Sequence, residues 1–281
     1  MSSEWQVPPP WRGTSVEDTF SDLDRVFNIK GKLITQDKLS EVVLFEMPLA
    51  KGKYSTPSQY IKNGKAEPVS PHIKEGTRFY IKRYWEAGKG LRRFIGKSRI
   101  RSEWENMLFF HRLNIPAANV VGYGEERSHY LFKRGALITE ELKNTTDLAK
   151  LAQQQAPELK KASWLLPVLR QIAAIARKLH DHRFIHTDFK WRNILVTTTE
   201  NPQVALIDCP AGHQWPKGCL FDKVVQRGII KDLACLDKVA KYQLSRSNRL
   251  YFFKQYTGEA QLSPKHKHQI RQILQFFEGR E

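Results

Sequence analysis

The chemistry in this chain gathers in the stretch FIHTDFKWRNILV, Phe184 to Val196, where His186, Asp188, Lys190 and Asn193 lie within eight residues. An aspartate followed two residues later by lysine and five later by asparagine suits transfer of a phosphoryl group to an alcohol. The aspartate orients an acceptor hydroxyl and takes its proton. The lysine offsets charge on the moving group. The asparagine oxygen ligates Mg²⁺, a hard ion that prefers oxygen donors. An H-x-D tripeptide alone is common in turns; the fuller pattern H-x-D-x-K-x-x-N is far more specific. A second stretch, ALIDCPAG from Ala205 to Gly212, strengthens it. There an apolar strand, Val204 to Ile207, delivers Asp208 where a second metal-binding carboxylate is needed.

These residues must be positioned by regular elements. Phe184 and Ile185 before the loop, and Ile194 to Val196 after it, are short apolar runs that pin it between buried strands. A helix over Ser163–His182 leads into the loop, with Leu165, Leu169, Ile172, Ala176 and Leu179 on one face and Pro167 in the permissive first turn. His180, at its end, reads as a residue that favours the helix dipole. With His182 and His186 it falls short of the four tetrahedral ligands zinc prefers. Upstream, Glu41–Met47 and Thr77–Tyr84 read as strands, and alternation puts Lys82 on the face of Tyr80 and Tyr84. A helix ending near Leu113 follows, with Ile100, Trp104 and Leu108 toward the core and Glu103 and Met107 on the adjacent ridge. Glu103 and Glu105 compete as the carboxylate that would fix the direction of Lys82. Val120–Tyr123 and Tyr130–Phe132 read as strands joined by a polar turn, GEERS, and Ala136–Leu142 as an apolar strand. Downstream, Arg227–Tyr242 reads as a helix carrying Asp232. The last helix opens at Ser263 and Pro264 and turns Ile270, Leu274 and Phe277 to one side.

Composition bounds the rest. The 281 residues suffice for two lobes, and an apolar fraction of 41% is adequate for a core. Three cysteines, Cys209, Cys219 and Cys235, lack metal-ligand spacing and read as thiols in a reducing compartment. The N-terminal stretch lacks a secretory pattern, and no run of about 18 apolar residues exists, so a cytoplasmic protein is expected, with peripheral attachment to the inner face of a membrane as an option. A net charge of +17 favours anionic partners: nucleic acid, lipid headgroups or a phosphorylated substrate. No nucleic-acid motif accompanies the charge, so nucleic acid is not an expected partner. The basic stretch KGLRRFIGKSRIR, Lys89 to Arg101, makes Arg92, Arg93 and Lys97 candidates for contact with an acceptor or membrane. Three regions are expected: an arm over 1–19, loosely attached; residues 20–139, with an inserted loop at about 48–76; and residues 140–281.

The set YIKRY, RSEWENMLFFHRL, ALITEEL, KLHDHRFIHTDFKWRNILV, ALIDCPAG and KDLACLDKVAKY resembles the bacterial lipopolysaccharide core kinase family, which includes heptose kinases, 3-deoxy-manno-octulosonate kinases and InaA-type proteins. The resemblance runs from about Ser40 to the C-terminus, less the insertion. It implies an α+β, two-lobed protein-kinase-like fold with a small β-rich N-lobe and a mainly helical C-lobe. It also implies ATP with Mg²⁺, and phosphorylation of a sugar hydroxyl of the lipopolysaccharide inner core or another anionic glycolipid. By that resemblance Lys82 holds nucleotide phosphates and Glu103 orients it. Asp188 is the base, Lys190 meets the γ-phosphate, and Asn193 and Asp208 bind Mg²⁺. His186 braces the loop, and Asp232 clamps its backbone. Glu140 and Leu142, in an edge strand and hinge, offer backbone groups to adenine. Two departures stand out. No G-x-G-x-x-G phosphate loop is present, which leaves the turn near Gln36–Ser40 to serve. Asp208 is followed by Cys209 and Pro210 rather than Phe-Gly. A kinase of the same fold acting on a protein or soluble small molecule, and a non-catalytic membrane-associated pseudokinase, are the competing readings. Oligomeric state is not legible.

Overall fold

A computed structural model describes residues 2–48, 76–85, 96–129 and 131–279. Most of the expected insertion, residues 49–75, lies outside them. The chain divides into two units: Met1–Leu108 with Ala118–Leu142, and Phe109–Ala117 with Lys143–Glu281.

The first unit is built on an antiparallel sheet. Its strands are β1 (Ser2–Gln6), β2 (Lys32–Gln36), β3 (Ser40–Glu46), β4 (Arg78–Tyr84), β5 (Val120–Ser128) and β6 (Leu131–Glu140), in the order β1-β5-β6-β4-β3-β2. Alternation along β4 decides what each face does. Phe79, Ile81 and Arg83 are buried, and Phe79 and Ile81 pack with Trp11, Val16, Phe20 and Val26 from the N-terminal helices α1 (Ser15–Thr19) and α2 (Leu23–Asn28). Arg83 donates to the Val26 carbonyl at 2.8 Å and to Glu41 at 2.6 Å, so a cation sits at the C-terminal end of α2, where the helix dipole favours it. Lys82 is left for the opposite face.

Three expectations fail here. The segment 1–19 is no loose arm: β1 pairs with β5, Trp11 is buried, and its indole N–H donates to the Val120 carbonyl at 3.0 Å. Its prolines read as punctuation, yet Trp5, Val7, Trp11 and Val16 between and beyond them supply apolar surface that the sheet covers. GEERS is not a turn but part of β5, because its charges are matched: Glu125 by Ser98 and Arg127, Glu126 by Lys133 and Arg134. And β6 is no edge strand; it lies inside the sheet between β5 and β4. The helix α3 (Arg99–Arg112) forms as expected, but its most buried ridge is Ile100, Glu103, Met107 and Phe110. Trp104 is half-buried and stacks on Tyr123, with ring centroids 4.3 Å apart.

The second unit is mainly helical. Its axis is α5 (Ala162–Asp181), whose buried face carries Leu165, Leu169, Ile172, Ala176 and Leu179 as the spacing predicts. The helix begins early enough to put Pro167 in its second turn rather than its first. Around it lie β7 (Thr145–Asp147), α4 (Leu148–Gln153), β8 (Phe184–Ile185), β9 (Ile194–Thr197), β10 (Val204–Leu206), β11 (His213–Gln214), α6 (Cys219–Gln243), α7 (Arg246–Thr257) and α8 (Pro264–Gln275). The helix α6 starts eight residues before the expected Arg227. The sequence reading missed α7 altogether, although Ser245 caps it by accepting from the Asn248 N–H, and Gly258 closes it at φ 74°. In α8 it is Ile273 that is buried, while Leu274 is exposed.

Candidate active site

The loop between β8 and β9 is fixed before any charge is considered. Phe184 packs between Phe109 and Phe110, at centroid distances of 5.1 and 5.4 Å. Trp191 is buried, and its indole N–H donates to the Leu236 carbonyl of α6 at 2.9 Å. His186 is fully buried and stacks on Phe189, with centroids 5.0 Å apart and planes 9° apart. Burial holds its imidazole below the usual histidine range, so it is a neutral brace.

Beneath the loop sits Asp232, with no exposed surface. Its carboxylate accepts from the backbone N–H of His186 at 2.7 Å and of Thr187 at 2.8 Å. These bonds hold Thr187 at φ 65°, a left-handed conformation that a β-branched residue adopts only under constraint, at about 1–3 kcal/mol. His180 also reaches Asp232, at 3.4 Å through Nε2, and its Nδ1 lies 2.9 Å from the Tyr256 hydroxyl on α7. A carboxylate only accepts, so the Nε2 that faces Asp232 is the donor and Nδ1 is left to accept from the Tyr256 O–H. His180, in the last turn of α5 as expected, is thus also part of the clamp. Nothing in the sequence placed Tyr256 beside it, because α7 was not read.

Above the clamp, Asp188 is half-buried. Burial alone would raise its pKa, but the Lys190 hydrogen bond and charge, with Arg192 at 3.3 Å, outweigh it and hold the carboxyl below its ordinary value. The Asn193 amide nitrogen donates to the Asp188 carbonyl at 2.9 Å, which leaves the side-chain oxygen as its donor atom for a hard cation. The pairing of β9 with β10 sets Ile194 opposite Leu206, and the Ile207 N–H donates to the Asn193 carbonyl at 3.1 Å. Ile207 thus stands across from Asn193, and Asp208 is the next residue, at φ 58°. The amide oxygen of Asn193 and the carboxylate of Asp208, at the facing ends of β9 and β10, are the kind of donors Mg²⁺ takes, since it uses one or two protein oxygens and keeps several waters. Among the described residues no cluster of three or more His, Cys, Asp or Glu could hold a metal.

In the first unit the competition for Lys82 is decided. Its Nζ lies 2.9 and 3.0 Å from the two carboxylate oxygens of Glu103, which is buried. Glu105 faces elsewhere and pairs with Lys97 and Arg101. Lys97 is thus partly neutralised, and Arg92 and Arg93 lie outside the described residues. The Glu140 N–H donates to the Asn119 carbonyl at 2.9 Å, and the next N–H, of Glu141, donates to Arg78 at 2.9 Å. The Glu140 N–H is therefore spent inside the sheet and is not among the backbone groups the segment can offer to adenine. Leu142 is the last residue of the unit. The turn after β2 is closed by Asp37, whose carboxylate accepts from the N–H groups of Leu39 and Ser40 at 2.7 and 2.8 Å.

The chain is similar to several known proteins. A 3-deoxy-D-manno-octulosonic acid kinase of Vibrio cholerae is 29% identical over 169 residues, 53% of this chain and 66% of that protein. The corresponding kinase of Haemophilus influenzae is 40% identical over 67 residues, 24% of this chain and 25% of that protein, so the chain spans only a quarter of its length in that match. A solved structure, WaaP in complex with acyl carrier protein, covers 98% of this chain and 96% of its own at a TM-score of 0.62 and 18% identity, a likeness that shows the expected protein-kinase-like fold. The model of the "Lipopolysaccharide kinase (Kdo/WaaP) family" matches residues 63–256, well over half of the sequence, and the chain belongs to that family.

Proposed function

We propose that this protein transfers the γ-phosphoryl group of ATP to a sugar hydroxyl of the lipopolysaccharide inner core. The observation that carries the reading is Asp188: a carboxylate kept ionised by Lys190 and Arg192, one loop away from the Asn193–Asp208 pair. Asp188 orients the acceptor hydroxyl and takes its proton. Lys190 meets the γ-phosphate. Asn193 and Asp208 hold Mg²⁺, which neutralises phosphate charge when bound. Lys82, directed by Glu103, holds nucleotide phosphates, and the segment through Glu140 to Leu142 receives the adenine. The +17 net charge and the basic stretch with Arg92, Arg93 and Lys97 suit an anionic glycolipid at the inner face of a membrane. Among the described residues no helix is long and apolar enough to cross one.

The test is incubation of the full chain with ATP, Mg²⁺ and core lipopolysaccharide, followed by mass spectrometry. The expected result is addition of one phosphate, lost with chelator and in Asp188→Ala and Asp208→Ala. An acceptor that gains no phosphate sinks the reading, and phosphate on protein substrates instead would move it to the protein-kinase alternative.

A carrier protein is a further partner on this reading. An apolar cavity of about 410 Å³ opens within the helical unit, lined by Leu165, Leu169, Trp191, Leu236 and Phe253, with Arg246 at its margin. An acyl chain would fill it, and the WaaP of the solved structure was bound to acyl carrier protein. Failure of the purified chain to bind acylated carrier protein removes this partner.

A further inference from the structure

A second recess, of about 490 Å³, lies beside the catalytic loop within the helical unit. That volume is in the range of small-ligand sites. Ile185 and Thr187 line one side, and Thr187 directly precedes Asp188, so the recess begins about 3.8 Å of chain from the proposed base. The opposite wall is α6, brought close by Gly228. A Cβ at that position would sit 2.7 Å from Ile185 Cγ1 and 2.8 Å from its Cγ2, so the helix reaches the loop only because position 228 has none.

Flanking Gly228 on α6 are Arg227 and Lys231, both in the lining. With Lys223 they are spaced four residues apart and form one stripe of three cations. Like charges at that spacing destabilise a helix, so the stripe works against the fold that bears it. None of the three has a carboxylate partner among the described residues. Each acid of α6 is otherwise committed: Asp222 to Arg183 at 2.8 Å, Asp232 to the loop backbone, Asp237 to Arg249 at 2.6 Å. The remaining wall is aromatic. Trp215 is half-buried, with its backbone N–H fixed on the Arg183 carbonyl at 2.9 Å, and Phe276 and Phe277 close the recess from the end of α8.

An indole face beside two unmatched cations fits one ligand chemistry. The C–H groups of a pyranose present an apolar face that packs on an aromatic ring, and a guanidinium takes a carboxylate or phosphate in a bidentate pair. We propose that this recess is the acceptor subsite: it holds the ring of a sugar against Trp215 and its acidic substituent, carboxylate or phosphate, on Arg227 and Lys231. The assignment rests on the reading of the chain as a kinase of core sugars, and it names which groups of the chain select that sugar.

The experiment uses the full chain and the double variant Arg227→Gln, Lys231→Gln. Lys160→Gln with Lys161→Gln, at exposed positions, serves as a charge-matched control. Circular dichroism checks that each folds. Calorimetry measures binding of 3-deoxy-D-manno-octulosonic acid, mannose and inorganic phosphate, and transfer assays give KM for core lipopolysaccharide and for ATP. The wild type should bind the acidic sugar and not mannose. The double variant should weaken that binding and raise the acceptor KM about tenfold or more, with the KM for ATP unmoved. Competition by inorganic phosphate marks the subsite as one for a phosphate substituent; binding of the acid sugar untouched by phosphate marks it as one for a carboxylate. Wild-type transfer with an unchanged acceptor KM in the double variant, or an equal rise in the control, overturns the subsite and leaves the kinase reading intact. No transfer by the wild type overturns the kinase reading. The subsite then stands if acid-sugar binding is present and lost in the double variant, and falls if it is absent.

Discussion

The two units hold their charged residues in different ways. In the sheet unit, Lys82 is paired with the side chain of Glu103 and keeps 19% of its own surface exposed. In the helical unit, Asp188 is directed by the shape of the loop beneath it, and that shape is imposed by Asp232 through two backbone N–H groups. The first arrangement is a pair that can separate without disturbing the sheet, since the lysine can turn to water. The second is more enclosed, because Asp232 and His186 are fully buried and Thr187 is half-buried. A side-chain pair therefore sets a direction, whereas a buried carboxylate on backbone sets a conformation, including the left-handed φ at Thr187.

The largest effect is expected from breaking the backbone clamp. Asp232→Ala leaves the His186 and Thr187 N–H groups without acceptors, at about 1–3 kcal/mol each. Thermal unfolding should show a large fall in melting temperature together with loss of transfer. A variant that loses activity but melts like the wild type would remove the distinction between the two units.

A smaller and more local effect is expected in the sheet unit. Lys82→Met and Glu103→Gln should each lower transfer while the melting temperature moves little. The double variant should recover part of the sum, with a coupling of about 0.5–3 kcal/mol. Strictly additive losses would mean that the 2.9 Å contact does not act as a pair during turnover.

The smallest effect concerns the charge on Asp188. Its pKa is depressed in the folded chain, so the ionised form persists below the ordinary carboxylate value of 3.8, and any stability linked to it is present above that value and lost as pH falls through the folded pKa. The acid limb of the pH–rate profile should accordingly lie at or below that of an ordinary aspartate. Lys190→Ala should move the limb upward, because the hydrogen bond and charge that oppose burial are gone. A limb that stays in place would separate Lys190 from the ionisation of Asp188.

The loop proposed as catalytic was legible as one unit because its chemistry is local. The residues from His186 to Asn193 are adjacent in sequence, and the strand ending at Asp208 follows within a few turns of chain. The pairing of Lys82 with Glu103 rather than Glu105 could be narrowed by helical spacing, but not decided. That choice depended on which ridge of α3 meets β4. The segment 1–19 was misread because composition reports what a stretch contains and not what it covers. Trp11 and Val16 are buried only because β5 and β4 offer them a face. The interior place of β6 was hidden for the same reason, since it pairs with its sequence neighbour β5 on one side and with the distant β4 on the other.

Sequence by itself determined the family resemblance, the order of the charged residues and the amphipathic face of α5, all of which depend on spacings of a few residues. Only the tertiary structure decided what lies under and beside the loop: His180 and Tyr256 on Asp232, and the cations of α6 against Trp215. Those groups come from α5, α6, α7 and the residue after β11, and their juxtaposition is set by how the helices pack. The i, i+4 stripe of Lys223, Arg227 and Lys231 was visible in the sequence, but a stripe of charge on a helix is a solvated face until packing turns it toward a site. Gly228 does that here by letting α6 reach Ile185.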